Sequence, residues 1–63
     1  MKNDAAKFRP GDTAVNVRAT HYVNVPIGSK SQVYGIGSGC LGVVYESQKY
    51  IVESKYFDKL DGV

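Results

Sequence analysis

Apolar and polar residues alternate with period two over much of this chain, and hardly anywhere with the period of a helix. Between residues 13 and 20, Val15, Val17 and Ala19 fall on one face, and Asn16, Arg18 and Thr20 on the other. That spacing predicts a half-buried strand with the valines turned inward. Three further runs, 32–36, 41–46 and 50–53, are rich in Val, Ile and Tyr, which suit a pleated surface. Leu41, Val43 and Tyr45 share one face of their run, and Tyr50 and Val52 share one face of theirs. Gly37-Ser38-Gly39 joins the first two runs, and Ser47-Gln48-Lys49 is a polar connection of hairpin length between the last two. The centre therefore predicts a three-stranded antiparallel meander. Val17, Val33, Val43 and Val52, one from each of four strands, form the expected core, and Gly35 beside Val33 marks close packing or a bulge.

The flanks read differently. Residues 1–7 are polar and form an expected mobile arm, which Phe8 anchors. Pro10-Gly11 is a turn signal, because Pro fixes φ and Gly tolerates a positive one. The alternation fails over 21–29, where Pro26 withholds a backbone donor and Gly28 interrupts. That stretch predicts a long irregular loop with a piece of edge strand near residues 22–25. Residues 54–60 are too few for a stable helix and predict a 3₁₀ turn followed by a last short strand, with Phe57 and Leu60 both inward. The expected class is all-β: a small, partly open barrel of about five short antiparallel strands, with a long loop after the first. Its expected division is an arm at 1–7, a barrel at 8–60 and a tail at 61–63. Both faces of the runs 41–46 and 50–53 carry apolar side chains, which a loop wrapped over a barrel accounts for, and so does a homodimer interface.

Composition narrows the function more than the fold. At 63 residues the chain holds one domain and one small core. Its net charge of +2 is spread along the chain, short of the basic footprint that marks a nucleic-acid-binding domain. Cys40 is the single cysteine, so no intrachain disulfide forms, and small secreted domains usually need one. The expectation is a protein of the reducing cytoplasm. No basic-then-apolar leader and no apolar run near the ~18 residues of a membrane span is present, so no membrane association is expected.

Candidate chemistry is sparse. Gly37-Ser38-Gly39-Cys40-Leu41-Gly42 has the spacing of a dinucleotide-binding loop, but a β-type run follows it where that loop requires a helix. Cys40 and His21 are the only Cys and His; no third orienting group accompanies them, and the two cannot supply four ligands to zinc. Asp58 and Asp61 sit near the end of the chain, where carboxylates are usually solvated. The expectation is a non-enzyme with no cofactor and no metal.

Four stretches carry a likeness to a known family: Phe8-Arg9-Pro10-Gly11-Asp12, Gly42-Val43-Val44, Tyr50-Ile51-Val52 and Leu60. In that order they resemble the small SH3-like barrels, above all the short stand-alone ones of bacteriophage and prophage genomes. Those show an aromatic, two residues and Gly-Asp before the first strand, then a small-residue turn before Val-Val, then Tyr-x-Val and a terminal Leu. The resemblance implies an SH3-like fold and an accessory protein that acts on a host or phage complex in the host cytoplasm. The related ribosomal and transcription-factor barrels of the KOW type bind RNA or protein through loop glycines and basic residues. This chain has the glycines but few basic residues near them.

SH3-like barrels present aromatic side chains between the long loop and the meander, and true SH3 domains dock Pro-rich segments there. Tyr22, Tyr34, Tyr45 and Tyr50 are the candidate protein-binding residues, and Tyr56 can join them. The long loop holds no carboxylate, which argues against Pro-rich specificity. The alternative is a nucleic-acid-binding barrel, in which Arg18, Lys30, Lys49 and Lys55 neutralise phosphates while a tyrosine stacks on a base. Glu46, Glu53 and Asp58 interleave with those cations. A purely structural or assembly role is the third reading.

Overall fold

The computed structural model describes residues 7–60. The expected arm, apart from Lys7, and the expected tail lie outside the described residues. Within them the chain folds into β1 (Thr13–Asn16), β2 (Lys30–Ile36), β3 (Cys40–Tyr45), β4 (Gln48–Glu53) and β5 (Phe57–Leu60), with a 3₁₀ turn at Ser54–Tyr56. All five strands lie antiparallel in one open sheet of order β4-β3-β2-β1-β5. The class is all-β, and the meander and the 3₁₀ turn before a last strand stand where the alternation put them. Val33 faces Val43 across β2 and β3, and the register slips between Val33 and Gly35, which is the bulge expected there. The Arg9–Asp12 turn closes through Asp12 N–H donating to the Arg9 carbonyl at 3.0 Å. Gly11 holds φ at +98°, as the third residue of a Pro-Gly turn must.

One face of the sheet wraps a core of Phe8, Ala14, Val25, Val33, Leu41, Val43, Val52 and Phe57. Val33, Val43 and Val52 are buried as expected, and Phe8 is buried as the anchor. Val43 is fully enclosed on β3, an inner strand of the sheet. Val43→Ala removes two methyl groups there and should cost about 1–3 kcal/mol, read as a lower urea midpoint with an unchanged slope.

Four local expectations are corrected. First, β1 ends at Asn16 and its phase is opposite to the reading: Ala14 and Asn16 are buried, while Val17 is 37% exposed. The cause is the Asn16 side chain, which the loop backbone holds inside. Second, residues 22–25 form no strand; a turn in which Val25 N–H donates to the Tyr22 carbonyl (3.2 Å) buries Val25 instead. Third, Leu60 is exposed, because residues three apart in an extended strand face opposite ways and Phe57 takes the inward side. Fourth, the β3–β4 connection is the two-residue turn Glu46-Ser47, with Tyr45 opposite Gln48. Glu46 and Ser47 have φ of +51° and +67°, the left-handed pair that matches the twist of a hairpin.

Candidate functional site

The site starts from Asn16. Its Nδ2 donates to the Ala19 carbonyl (2.9 Å) and the Val25 carbonyl (2.8 Å), and its Oδ1 accepts from the N–H of Ala19 (2.9 Å) and Arg18 (3.2 Å). One buried amide thus ties down both ends of the 17–25 segment. The middle of that segment is thrown across to β4. There the Tyr22 hydroxyl accepts the Glu53 N–H at 2.9 Å. The 3₁₀ turn is bound to the same segment: Val17 N–H donates to the Tyr56 carbonyl (2.9 Å), and the Arg18 guanidinium donates to the Lys55 carbonyl.

These bonds gather rings from distant parts of the chain. The His21 centroid lies 4.2 Å from Tyr22 and 5.2 Å from Tyr56, the latter edge to face at 78°. Tyr22 stands edge-on to Tyr56 at 6.0 Å and rests 6.1 Å from Phe57 in the core. Offset and edge-to-face packing of this kind satisfies the ring quadrupoles. Beside the cluster runs a groove of about 190 Å³ with residues 21–25 as one wall and Tyr50, Ile51 and Val52 as the other.

The candidate residues are divided among three places. Tyr22 and Tyr50 line the groove, and Tyr56 adjoins it through ring contacts. Tyr45 packs against the core. Tyr34 lies on the opposite face of the sheet, over Gly42: a Cβ at that glycine would meet Tyr34 Cζ at 2.7 Å, so only glycine admits the ring. The cations are divided too. Arg18 and Lys55 meet at the 3₁₀ turn, with Lys55 Nζ 5.2 Å from the Tyr56 ring. Lys49 sits 5.3 Å over Tyr34, and Lys30 opens β2 opposite Val15.

Sequence reasoning passes over Asn16 and His21. Asn16 looks like one polar position of an alternating strand; its signal is an Asx residue standing directly before an irregular loop. His21 stands out in the sequence only as a partner for Cys40, although it adjoins Tyr22. The residues after Gly37-Ser38-Gly39 form β3, so the helix N-terminus that would hold a pyrophosphate is replaced by a strand. Among the described residues no group of three His, Cys, Asp or Glu side chains stands close enough to hold a metal, and no helix is long and apolar enough to cross a membrane. Compared with family models, with curated proteins and with solved structures, the chain finds no match.

Proposed function

We propose that this chain is a non-catalytic, SH3-like binding module that takes a protein partner in the groove between residues 21–25 and β4. The observation that carries this reading is the cluster of His21, Tyr22 and Tyr56 packed beside an open groove whose far wall bears Tyr50. Support for the SH3-like part comes from the long loop after β1, the 3₁₀ turn before β5 and the strand order. Tyrosine suits such a surface, because a large rigid ring buries area at little entropic cost and the hydroxyl tolerates water. By resemblance, the partner belongs to a host or phage complex and the chain acts as a phage-type accessory protein in the host cytoplasm. Capture with a tagged chain from host lysate supplies the partner, and titration measures it. Tyr56→Ala and Tyr50→Ala should each weaken the complex by at least about tenfold, roughly 1.4 kcal/mol, whereas Tyr34→Ala on the opposite face should change it by less than about threefold. Equal losses from Tyr34 and Tyr56 would refute the placement of the site.

One observation favours a second reading. The Lys55 ammonium stands over the Tyr56 ring while the Arg18 guanidinium donates to the Lys55 carbonyl, and a cation next to an aromatic face is how single strands are held. Phosphate neutralisation makes affinity fall steeply with salt, while an aromatic protein interface is far less sensitive. Oligonucleotide binding that survives physiological salt and disappears in Arg18→Ala/Lys55→Ala would move the assignment to nucleic acid.

A further inference from the structure

We propose that β4 is a self-association edge, pairing antiparallel with β4 of a second copy about a twofold axis at Tyr50. This goes beyond the groove reading and rests on the outward backbone groups of β4, although Tyr50 and Ile51 also line the groove, so a second copy and a groove partner compete. β4 is an outer strand of the open sheet. The Glu46-Ser47 turn makes Tyr45 and Gln48 the closing hydrogen-bonded pair, so Gln48, Tyr50 and Val52 aim their backbone groups at β3. Lys49, Ile51 and Glu53 aim theirs outward. The Tyr22 hydroxyl taking the Glu53 N–H agrees with that phase. The outward N–H and C=O of Lys49 and Ile51 thus stand at an edge with no strand beside them among the described residues.

Only one register uses all of these groups and leaves Glu53 N–H outside the ladder, where Tyr22 holds it. With Tyr50 opposite the partner's Tyr50, Lys49 faces the partner's Ile51 as a hydrogen-bonded pair, and the symmetric pair forms on the other side of the axis. All the outward donors and acceptors of Lys49 and Ile51 are then matched, and Glu53 N–H keeps its bond to Tyr22. Sliding the pairing so that Ile51 meets the partner's Ile51 would bring Glu53 N–H into the ladder and break that bond. The side chains agree with the chosen register. Ile51, 67% exposed in the middle of the edge, is covered by the stem of the partner's Lys49 once that side chain turns away from the Tyr34 ring. The Lys49 ammonium lies one diagonal step from the partner's Glu53, opposite in sign, and one from the partner's Lys49, so reaching toward Glu53 also separates the two ammonium groups. On the other edge, β5, the charged side chains are already taken: Asp58 and Lys59 are held in ion pairs with Lys7 and Asp12 at 3.6 Å each. A one-strand contact is small, so the association is weak and belongs to high concentration.

The test is sedimentation of the whole chain from about 10 µM to about 1 mM, together with amide hydrogen exchange over the same range. A monomer–dimer equilibrium is expected, with exchange at Lys49 and Ile51 slowing as concentration rises while Tyr50 stays unchanged. Ile51→Pro removes an outward N–H and the exposed Ile51 side chain but no bond to β3, which an edge strand tolerates, and should abolish the dimer. Lys49→Glu should weaken it by about threefold to tenfold, and Lys49→Glu/Glu53→Lys should restore it, because the swap exchanges both members of the pair. The restoration is specific to a second copy and needs no proline. A chain that sediments as a monomer throughout overturns the proposal, as does a dimer indifferent to both Ile51→Pro and Lys49→Glu. Failure of groove binding in the Tyr56→Ala variant leaves these outcomes untouched.

Discussion

Asn16→Asp is expected to remove most of the domain's stability. The Asn16 side chain is completely buried, and its Nδ2 donates to the carbonyls of Ala19 and Val25. An aspartate at this position would aim an anionic oxygen at two carbonyl oxygens and would bury an unpaired charge. The expected loss is about 3–5 kcal/mol, within a total of about 3–9 kcal/mol for a chain of this length. Lowering the pH should recover part of the loss, since a protonated carboxyl can again donate one of the two bonds. Asn16→Ala should be milder, at about 2–4 kcal/mol, because it leaves backbone groups unpaired without adding charge. Urea unfolding measures both, and amide exchange at Ala19 reports whether the loop has come free. A wild-type urea midpoint in Asn16→Asp would mean that Asn16 faces solvent and that the alternation was right about β1.

That disagreement over β1 shows what the chain spells out and what it conceals. The meander was legible because the inward positions in the middle of β3 and β4 carry apolar and aromatic side chains: Leu41 and Val43 face Val52 and Tyr50 in register. Local alternation and tertiary burial coincide there. In β1 they part, because the stripe Val15, Val17 and Ala19 continues past the end of the strand, and the inward place goes to an amide whose four polar contacts lie in a loop. Alternation weighs side-chain hydropathy alone, so a polar residue that is buried because it is fully bonded cannot be recognised by it. The β3–β4 turn was displaced for a related reason. Glu46 and Ser47 take positive φ with no glycine to announce it. Of the groove, Tyr22 and Tyr50 were legible as tyrosines on opposite sides of the expected loop–meander junction. The approach of Tyr56 to His21 was not, since it depends on the bonds of Arg18 and Val17 to the 3₁₀ turn.

Phe57→Ala should carry the second large effect, and comparison with Phe57→Leu links the core to the groove. Phe57 is the first residue of β5, 1% exposed, and lies opposite Asn16 in the ladder. Truncation to Ala empties most of a ring's volume from a small core, at an expected cost of about 3–5 kcal/mol. Leu keeps much of that volume and should cost less than about 1.5 kcal/mol, leaving a folded protein. Tyr22 rests against the Phe57 ring and also caps the Glu53 N–H. Without the aromatic support, the Tyr22 ring loses its ring contact beneath the groove, while its hydroxyl still marks the end of β4. Phe57→Leu should therefore bind the protein partner severalfold more weakly than wild type, with a urea midpoint only slightly lowered. Titration and unfolding on the same preparation separate the two effects. Unchanged binding in Phe57→Leu would show that Tyr22 is positioned by its hydroxyl and by Asn16 alone, with no contribution from the core beneath it.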